Sequence, residues 1–180
     1  HNPSMVPVVG YGHLVFMGTG DAFVWGAADG EAHQYQSAVR SSLRVVRQTK
    51  DWSDPGAGVA IENGYGLQLA VQVEGFGVGL ALRGSGEQGC TYSTYYLNRL
   101  RDNRVGVMLW AKSDGGWVNQ NTFIGGRFSV SSSTEYSGGV HGVVVRGDSL
   151  HPMNGNAFYN PSFELTNRGS VASGYSSALH

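Results

Sequence analysis

The sequence contains a single cysteine, Cys90, among its 180 residues. One thiol cannot form an internal disulfide or supply a cysteine-rich metal site, so we expect a buried, unreactive Cys90 and no bound metal. Charged residues are also scarce, at 14%, and twelve basic against thirteen acidic residues leave a net charge of −1. Without a basic surplus the chain lacks the electrostatic footprint of nucleic-acid-binding proteins, and this class of partner is excluded.

Long apolar runs and the common catalytic motifs are missing as well. The longest early stretch without charge, residues 6–20, is broken by Pro7, His13 and several glycines, which predicts that the chain does not insert into a membrane. There is no G-x-S-x-G, Walker or H-E-x-x-H motif, and no cofactor is expected. The chain opens on His1 without a basic-then-apolar leader, and we expect it to be a piece of a longer protein.

What the sequence does contain is glycine, 28 residues, and enough hydrophobic residues, 41%, for a sizeable core. Most of these hydrophobic residues fall in short alternating segments that end in Gly, Asn, Ser or Asp, the pattern of β-strands bounded by turns. The alternating sets are Leu67/Leu69/Val71/Val73, Val78/Leu80/Leu82, Val105/Val107/Leu109, Phe128/Val130, Val143/Val145 and Phe163/Leu165. These sets predict an all-β chain.

The first sixty residues differ from the rest. Residues 31–48 carry the one stretch with helical spacing, which predicts a short helix or helical turn with Asp29 as its N-cap, although Leu43–Arg47 is more typical of a strand. We therefore predict two parts: residues 1–60 as an N-terminal neck or cap with a short helix, and residues 61–180 as a β domain.

Two all-β architectures compete for the second part. The dipeptides Asn63-Gly64, Asp114-Gly115 and Asn154-Gly155 are typical of hairpins and favour a β-sandwich or jelly roll.

Internal similarity favours a solenoid instead. Residues 121–128 match residues 156–163 as N-x-F-(4)-F, and residues 76–82 resemble residues 103–109. In stacked coils, equivalent side chains lie over one another, and Asn at a bend can hydrogen-bond along the stack. We therefore expect Asn121 and Asn156 to occupy stacked bends.

The stretch Gly116–Arg127, GWVNQNTFIGGR, resembles a repeat of the right-handed parallel β-helices (pectate-lyase-like) in bacteriophage tailspikes and tail fibres, and Asn156–Glu164 resembles the next one. The resemblance covers roughly residues 64–165. It implies a right-handed parallel β-helix wound as a homotrimer, located extracellularly on a virion tail and contacting bacterial surface polysaccharide.

Three functions follow as alternatives from this resemblance. The leading hypothesis is a virion attachment module that binds bacterial surface glycans without cleaving them. The second is a depolymerase, a hydrolase or lyase acting on capsule or O-antigen, and the third is a purely structural shaft.

Aromatic side chains are the main candidates for carbohydrate binding, because their faces stack on sugar rings. The candidates are Trp110, Trp117, Tyr92, Tyr95 and Tyr96. Trp110 follows Leu109 in an alternating strand and is expected to face outward. Tyr92 and Tyr96 are expected to share one strand face and Tyr95 the other.

Glycosidic hydrolysis needs two carboxylates about 5–10 Å apart. Asp102 and Asp114 flank one predicted strand near the aromatic residues and are the catalytic candidates. Arg127, together with Arg146, is a candidate to hold a uronate carboxylate.

Homotrimer formation also follows from exposed apolar area. Tyr95, Trp110 and Phe76 are expected to point outward, and few charges are available to cover the flanks of a solenoid.

Overall fold

The computed structural model describes residues 10–26, 40–49, 52–112, 115–131, 139–147, 153–165 and 176–179. This part of the chain is all-β: it contains fifteen strands and no helix. The strands are β1 (Gly10–Phe16), β2 (Phe23–Gly26), β3 (Arg40–Arg47), β4 (Ala57–Glu62), β5 (Gln68–Glu74), β6 (Val78–Gly84), β7 (Gly89–Thr91), β8 (Thr94–Arg101), β9 (Val105–Ala111), β10 (Trp117–Asn119), β11 (Thr122–Ser129), β12 (Val140–Arg146), β13 (Ala157–Tyr159), β14 (Ser162–Glu164) and β15 (Ser176–Leu179).

All pairs among these strands are parallel, and the chain passes alternately between two large sheets. Sheet A contains β1, β3, β5, β8 and β11 in that order, and both β13 and β14 pair with β11. Sheet B contains β2, β4, β6, β9, β12 and β15. A short sheet C joins β7 to β10, and a bridge between Tyr65 and Thr91 extends it. Parallel strands need long connections, and here each connection contains a strand of another sheet.

The strand register confirms both internal repeats. Phe123 pairs with Phe158 and Phe128 with Phe163, which is the predicted offset of 35 residues. Val78 pairs with Val105 and Leu82 with Leu109, the offset of 27 residues seen between residues 76–82 and 103–109. The similar segments are therefore neighbouring strands of the same sheet.

The prediction of hairpins at the Asn-Gly dipeptides is wrong. Asn63 has a φ of 54° and Gly155 a φ of 66°, but both lie where the chain turns from one sheet into another rather than back along its own strand. The left-handed backbone that favours a tight hairpin serves equally well at such a corner. Asp114 lies outside the described residues.

The core fills the space between sheets A and B. On β5 the exposure alternates, with Leu69, Val71 and Val73 buried, as the sequence predicts. The opposing layer comes from Leu80 and Leu82. Aromatic rings stack from strand to strand along sheet A: Tyr95 lies on Phe123 at 5.3 Å between centroids, Phe123 on Phe158 at 4.4 Å, and Phe128 on Phe163 at 4.8 Å.

Two outward predictions are wrong, because Tyr95 and Phe76 are both fully buried. Tyr92 takes a left-handed φ of 54°, so β8 starts only at Thr94 and its phase places Tyr95 opposite Leu69 and Phe123, on the inner face. Phe76 lies in the turn after β5, where it packs against Phe16 in the core. Trp110 does face outward, as predicted, and is half-buried.

The N-terminal region continues the same sheets. β3 pairs with β5 and β4 with β6, so strands on both sides of the boundary predicted at residue 60 belong together. The predicted strand at Leu43–Arg47 is confirmed within β3. Residues 31–39, which carry most of the predicted helix, lie outside the described residues.

Asparagine side chains close the corners, and the predicted stacking of Asn121 on Asn156 is confirmed. The Asn121 amide N–H and its side-chain Nδ2 both donate to Asn156 Oδ1, at 3.1 and 3.0 Å. Asn121 Oδ1 accepts the N–H of Ser93, and its Nδ2 also donates to the carbonyl of Cys90. Asn103 does the same at a corner between sheets A and B.

The carboxylates of Asp54 and Asp21 join the turn after β1 to the start of β4, and each also pairs with an arginine. Buried Arg47 pairs with Asp54, whose carboxylate also accepts the N–H groups of Gly20 and Gly56. Asp21 accepts the Ala57 N–H and the Arg83 guanidinium. These contacts fix the first two strands to the rest of the fold.

The described residues form no helix that could cross a membrane. Nor do they bring three His, Cys, Asp or Glu side chains together as a metal site would need.

Candidate functional site

A polar trough of about 320 Å³ runs along sheet C. Its walls come from the corners that lead out of sheet C and from Trp117 on β10. The lining residues are Asn63, Tyr65, Gln88, Gly89, Thr91, Tyr92, Trp117, Asn119, Gln120 and Asn154.

Four equivalent corners build the trough, each a triplet with a left-handed central residue. The triplets are Tyr65-Gly66-Leu67, Thr91-Tyr92-Ser93, Asn119-Gln120-Asn121 and Asn154-Gly155-Asn156, with central φ values of 67°, 54°, 55° and 66°. The first residue of each triplet lines the trough. The third residues of the last three carry the hydrogen-bonded stack that runs from Ser93 through Asn121 to Asn156. The same backbone geometry therefore holds the fold together on one side and presents side chains on the other.

Three aromatic side chains line one part of the trough. Tyr65 and Tyr92 meet edge to face, with centroids 5.7 Å apart and exposed fractions of 36% and 59%. Trp117 is half-buried and packs across Gly89, where an added Cβ would come within 2.4 Å of its Cδ1. Gly89 thus positions the indole, which leaves part of the ring open for stacking.

Five amide side chains supply the hydrogen-bonding groups. Two of them hydrogen-bond within the fold. Asn63 Oδ1 accepts the Ser85 N–H, and Asn119 Oδ1 accepts the Asn154 N–H. In the described part of the chain, the side-chain amides of Gln88, Gln120 and Asn154 make no internal hydrogen bond. The Nδ2 group of Asn119 likewise makes none with the described residues. Each free amide can both donate and accept. This combination of aromatic faces and uncommitted amides suits a ligand rich in hydroxyl groups.

Of the predicted carbohydrate-binding residues, the structure brings only Trp117 and Tyr92 together in this trough. Tyr95 is a core residue, and burial raises its pKa well above the ordinary value for tyrosine. Tyr96 faces outward on sheet A, and Trp110 faces outward on sheet B, where the cationic groups of Lys112 and Arg146 lie over its ring. The predicted cluster of Tyr92 and Tyr96 on one strand face is wrong, because Tyr92 precedes the strand.

Arg127 is exposed on sheet A and bonded to Glu164 by two hydrogen bonds of 3.1 and 2.7 Å. The hydrogen bond to Glu164 raises the pKa of Arg127. The same guanidinium lowers the pKa of the Glu164 carboxyl. A bidentate partner already occupies the geometry with which Arg127 would hold a carboxylate.

The catalytic candidate Asp102 is completely buried at a turn with a φ of 52°. Its Oδ1 accepts the Ser131 N–H, its Oδ2 lies 3.3 Å from Arg101 Nε, and its carbonyl accepts the indole N–H of Trp52. Such a carboxylate stabilises a turn and is not placed to reach a polysaccharide. Asp114, its proposed partner, lies outside the described residues.

Sequence reasoning missed Tyr65, Gln88, Asn119, Gln120 and Asn154. Of these, only Asn154 carried a sequence signal, the dipeptide Asn154-Gly155, which the hairpin interpretation assigned to a tight turn. The prediction for Cys90 is confirmed: the thiol is free and fully buried, and burial raises its pKa to about 12.

A second cavity, of about 280 Å³, lies between the first strands of sheets A and B. Aromatic and aliphatic side chains dominate its walls, which include Phe23, Trp25, Leu43 and Leu69. It offers few groups to orient hydroxyls, so the trough on sheet C is the better candidate for a polar ligand.

The chain matches no known protein family, no curated protein and no solved structure. Functional inference therefore rests on its own residues.

Proposed function

We propose that this chain is a glycan-binding attachment module of a virion tail, wound as a right-handed parallel β-helix and assembled as a homotrimer. The observation that carries the binding function is the trough on sheet C, in which Trp117, Tyr65 and Tyr92 lie beside uncommitted amide side chains. The sheet order supports the β-helix, because each pass of the chain adds one strand to sheet A and one to sheet B. The virion location rests on the resemblance of residues 116–127 to tailspike repeats.

Binding without cleavage is favoured over depolymerase activity. Asp102 is fully buried and bonded to its own turn, and the described residues that line the trough include no Asp, Glu, His, Lys or Arg. Hydrolysis of a glycosidic bond needs an acid and a base or nucleophile facing the same sugar. The described residues place no such pair beside the aromatic side chains.

The homotrimer is supported by an apolar row on the outer face of sheet A. Tyr96, Ile124 and Tyr159 pair in register on three neighbouring strands and are 45%, 38% and 56% exposed. Tyr11, 70% exposed, lies in the same register on β1, with Ser42 and Ala70 between it and Tyr96. Contiguous apolar rows of this kind mark surfaces that another chain covers.

Binding is tested by applying the protein to an array of bacterial capsular and O-antigen oligosaccharides. We expect bound glycans whose affinity falls roughly tenfold or more in Trp117→Ala, as for an aromatic anchor of a binding site. Trp110→Ala is the matched control, since this half-buried indole lies on sheet B, and it should still bind the glycans that are lost in Trp117→Ala. Unchanged binding in the Trp117 variant would remove the trough from the proposal.

Cleavage is tested on the same glycans. New reducing ends and unsaturated uronates should stay at background during long incubation. Turnover that disappears in Asp102→Asn or Asp114→Asn would instead establish the depolymerase.

A further inference from the structure

We propose that the trough selects an uncharged glycan chain and holds it along the stacking direction of the strands, with successive sugars over successive corners. This inference rests on the proposed function and adds the class of glycan and its orientation.

The described wall of the trough favours neutral over acidic sugars. Its ten described lining residues include no Lys, Arg, His, Asp or Glu, so a uronate or sialate carboxylate would find no cationic partner among them. Removing an ionised group from water without a partner is costly. Glu87, an exposed residue beside Gln88, packs against Gly115 and adds a negative charge near the rim. Hydroxyl and acetamido groups, by contrast, match amides that both donate and accept.

The spacing of the corners sets the orientation. Tyr65 pairs with Thr91 and Thr91 with Asn119, and the Asn154 N–H donates to Asn119 Oδ1 at 3.0 Å. Neighbouring strands lie about 4.8 Å apart, so these four levels extend over about 14 Å. The spacing between neighbouring levels is therefore about the length of one pyranose unit. A glycan chain that lies across the levels presents a new sugar to each of them.

Acidic glycans have a different candidate surface on this molecule. Lys112 Nζ and Arg146 Cζ lie over the ring of Trp110 on sheet B, 5.7 and 5.2 Å from its centroid. Binding there would be electrostatic and would not depend on Trp117, so an experiment can tell the two surfaces apart.

The test uses the full chain on an array of neutral and acidic bacterial oligosaccharides, followed by calorimetry of the best ligands at 50 and 500 mM NaCl. We expect the glycans that depend on Trp117 to be neutral, with at least about tenfold preference over uronate-containing relatives. Affinity should change less than about twofold with salt, because no ion pair forms. Affinity should rise with chain length up to three or four units and then level off.

Gln88→Arg is the gain-of-function variant, and it should admit acidic glycans by supplying a cation at the wall of the trough. Arg146→Ala is the control for the surface around Trp110.

Each outcome decides a different point. Acidic glycans that bind best and are lost in Trp117→Ala would overturn the selectivity while the binding function stands. Acidic binding that is lost only in Arg146→Ala would place the ligand on sheet B and overturn the trough as the site. A protein that binds no glycan on the array would overturn the proposed function itself.

Discussion

Asn121 and Asn156 stack on each other at two neighbouring corners of this fold. Asn121 is fully buried, yet every polar group of its side chain is bonded to the neighbouring level, to Ser93 and Cys90 on one side and Asn156 on the other. A buried amide that is fully satisfied specifies the register of the strands around it.

Removing the Asn121 amide should therefore destabilise the protein. Asn121→Ala leaves the Ser93 N–H and the Cys90 carbonyl without their partners, and we expect the free energy of unfolding to fall by about 1–3 kcal/mol. Urea denaturation measures it, with exposed Asn98 on β8 as the matched control. A loss below about 0.5 kcal/mol, as at ordinary surface positions, would contradict the stacked-corner account.

How far the sequence predicts individual residues depends on whether their backbone is regular. The inward positions Leu69, Val71 and Val73 follow from alternation alone, because β5 is a regular strand. Tyr95 does not, because the left-handed turn at Tyr92 sets the phase of β8 and nothing in the residue types shows it.

At the scale of strands, a row of glycines brings sheet B close to the core. Gly58, Gly79, Gly106 and Gly142 occupy equivalent positions on β4, β6, β9 and β12. A Cβ on Gly106 would lie 2.3 Å from Phe128 Cδ1 and 2.6 Å from the Gly142 carbonyl oxygen. Because the Gly142 oxygen belongs to the backbone of the neighbouring strand, it cannot move aside for an added methyl group.

Gly106→Ala should accordingly cost about 1–3 kcal/mol through overpacking. Gly12→Ala on β1 serves as control, since its Cβ would meet only the flexible Leu43 side chain, at 3.2 Å. Thermal unfolding of the two variants should separate them, and equal midpoints would argue that the row has no packing role.

The ion pairs that fix the first strands predict acid sensitivity. Burial raises the pKa of Asp54, but hydrogen bonds from the Gly56 N–H, the Arg47 guanidinium and the Gly20 N–H outweigh it, and the net pKa is below the ordinary 3.8. The pKa of Asp21 is lowered in the same way. Burial raises this pKa, but the hydrogen bonds from the Arg83 guanidinium and the Ala57 N–H outweigh the effect of burial. A lowered folded-state pKa stabilises the fold fully above the unfolded value, and this stabilisation is lost as the pH falls through the folded value.

We therefore expect the urea midpoint to fall as the pH drops below about 4, and to fall less steeply in Asp54→Asn. Glu164→Gln removes an exposed, solvent-screened ion pair and should change the pH profile much less than Asp54→Asn does. Identical profiles for wild type and Asp54→Asn would show that this carboxylate does not contribute.

The repeats of 27 and 35 residues could be predicted because the long strands of sheets A and B carry similar side chains at paired positions of neighbouring strands. Sheet C could not, because β7 and β10 are only three residues long and carry no alternation. The trough belongs to sheet C, which explains why the sequence indicated only two of its residues.

For the whole molecule, the apolar row on sheet A predicts association. A homotrimer should sediment near 58 kDa, three times the chain mass of 19.2 kDa. Tyr159→Arg, at an exposed position of the row, should shift the protein toward the monomer, whereas Val24→Arg, equally exposed on sheet B, should not. A wild-type mass near 19 kDa at micromolar concentration would contradict the assembly.

The central claim is that the trough on sheet C binds glycan. NMR titration of the ¹⁵N-labelled chain with the best neutral oligosaccharide tests it most directly. We expect saturable shifts of the Trp117 indole N–H and of the side-chain amides of Gln88, Asn119, Gln120 and Asn154, while the Trp110 indole signal stays in place. Shifts centred on Trp110 or on the Tyr96 row, with the trough signals unmoved, would contradict the claim.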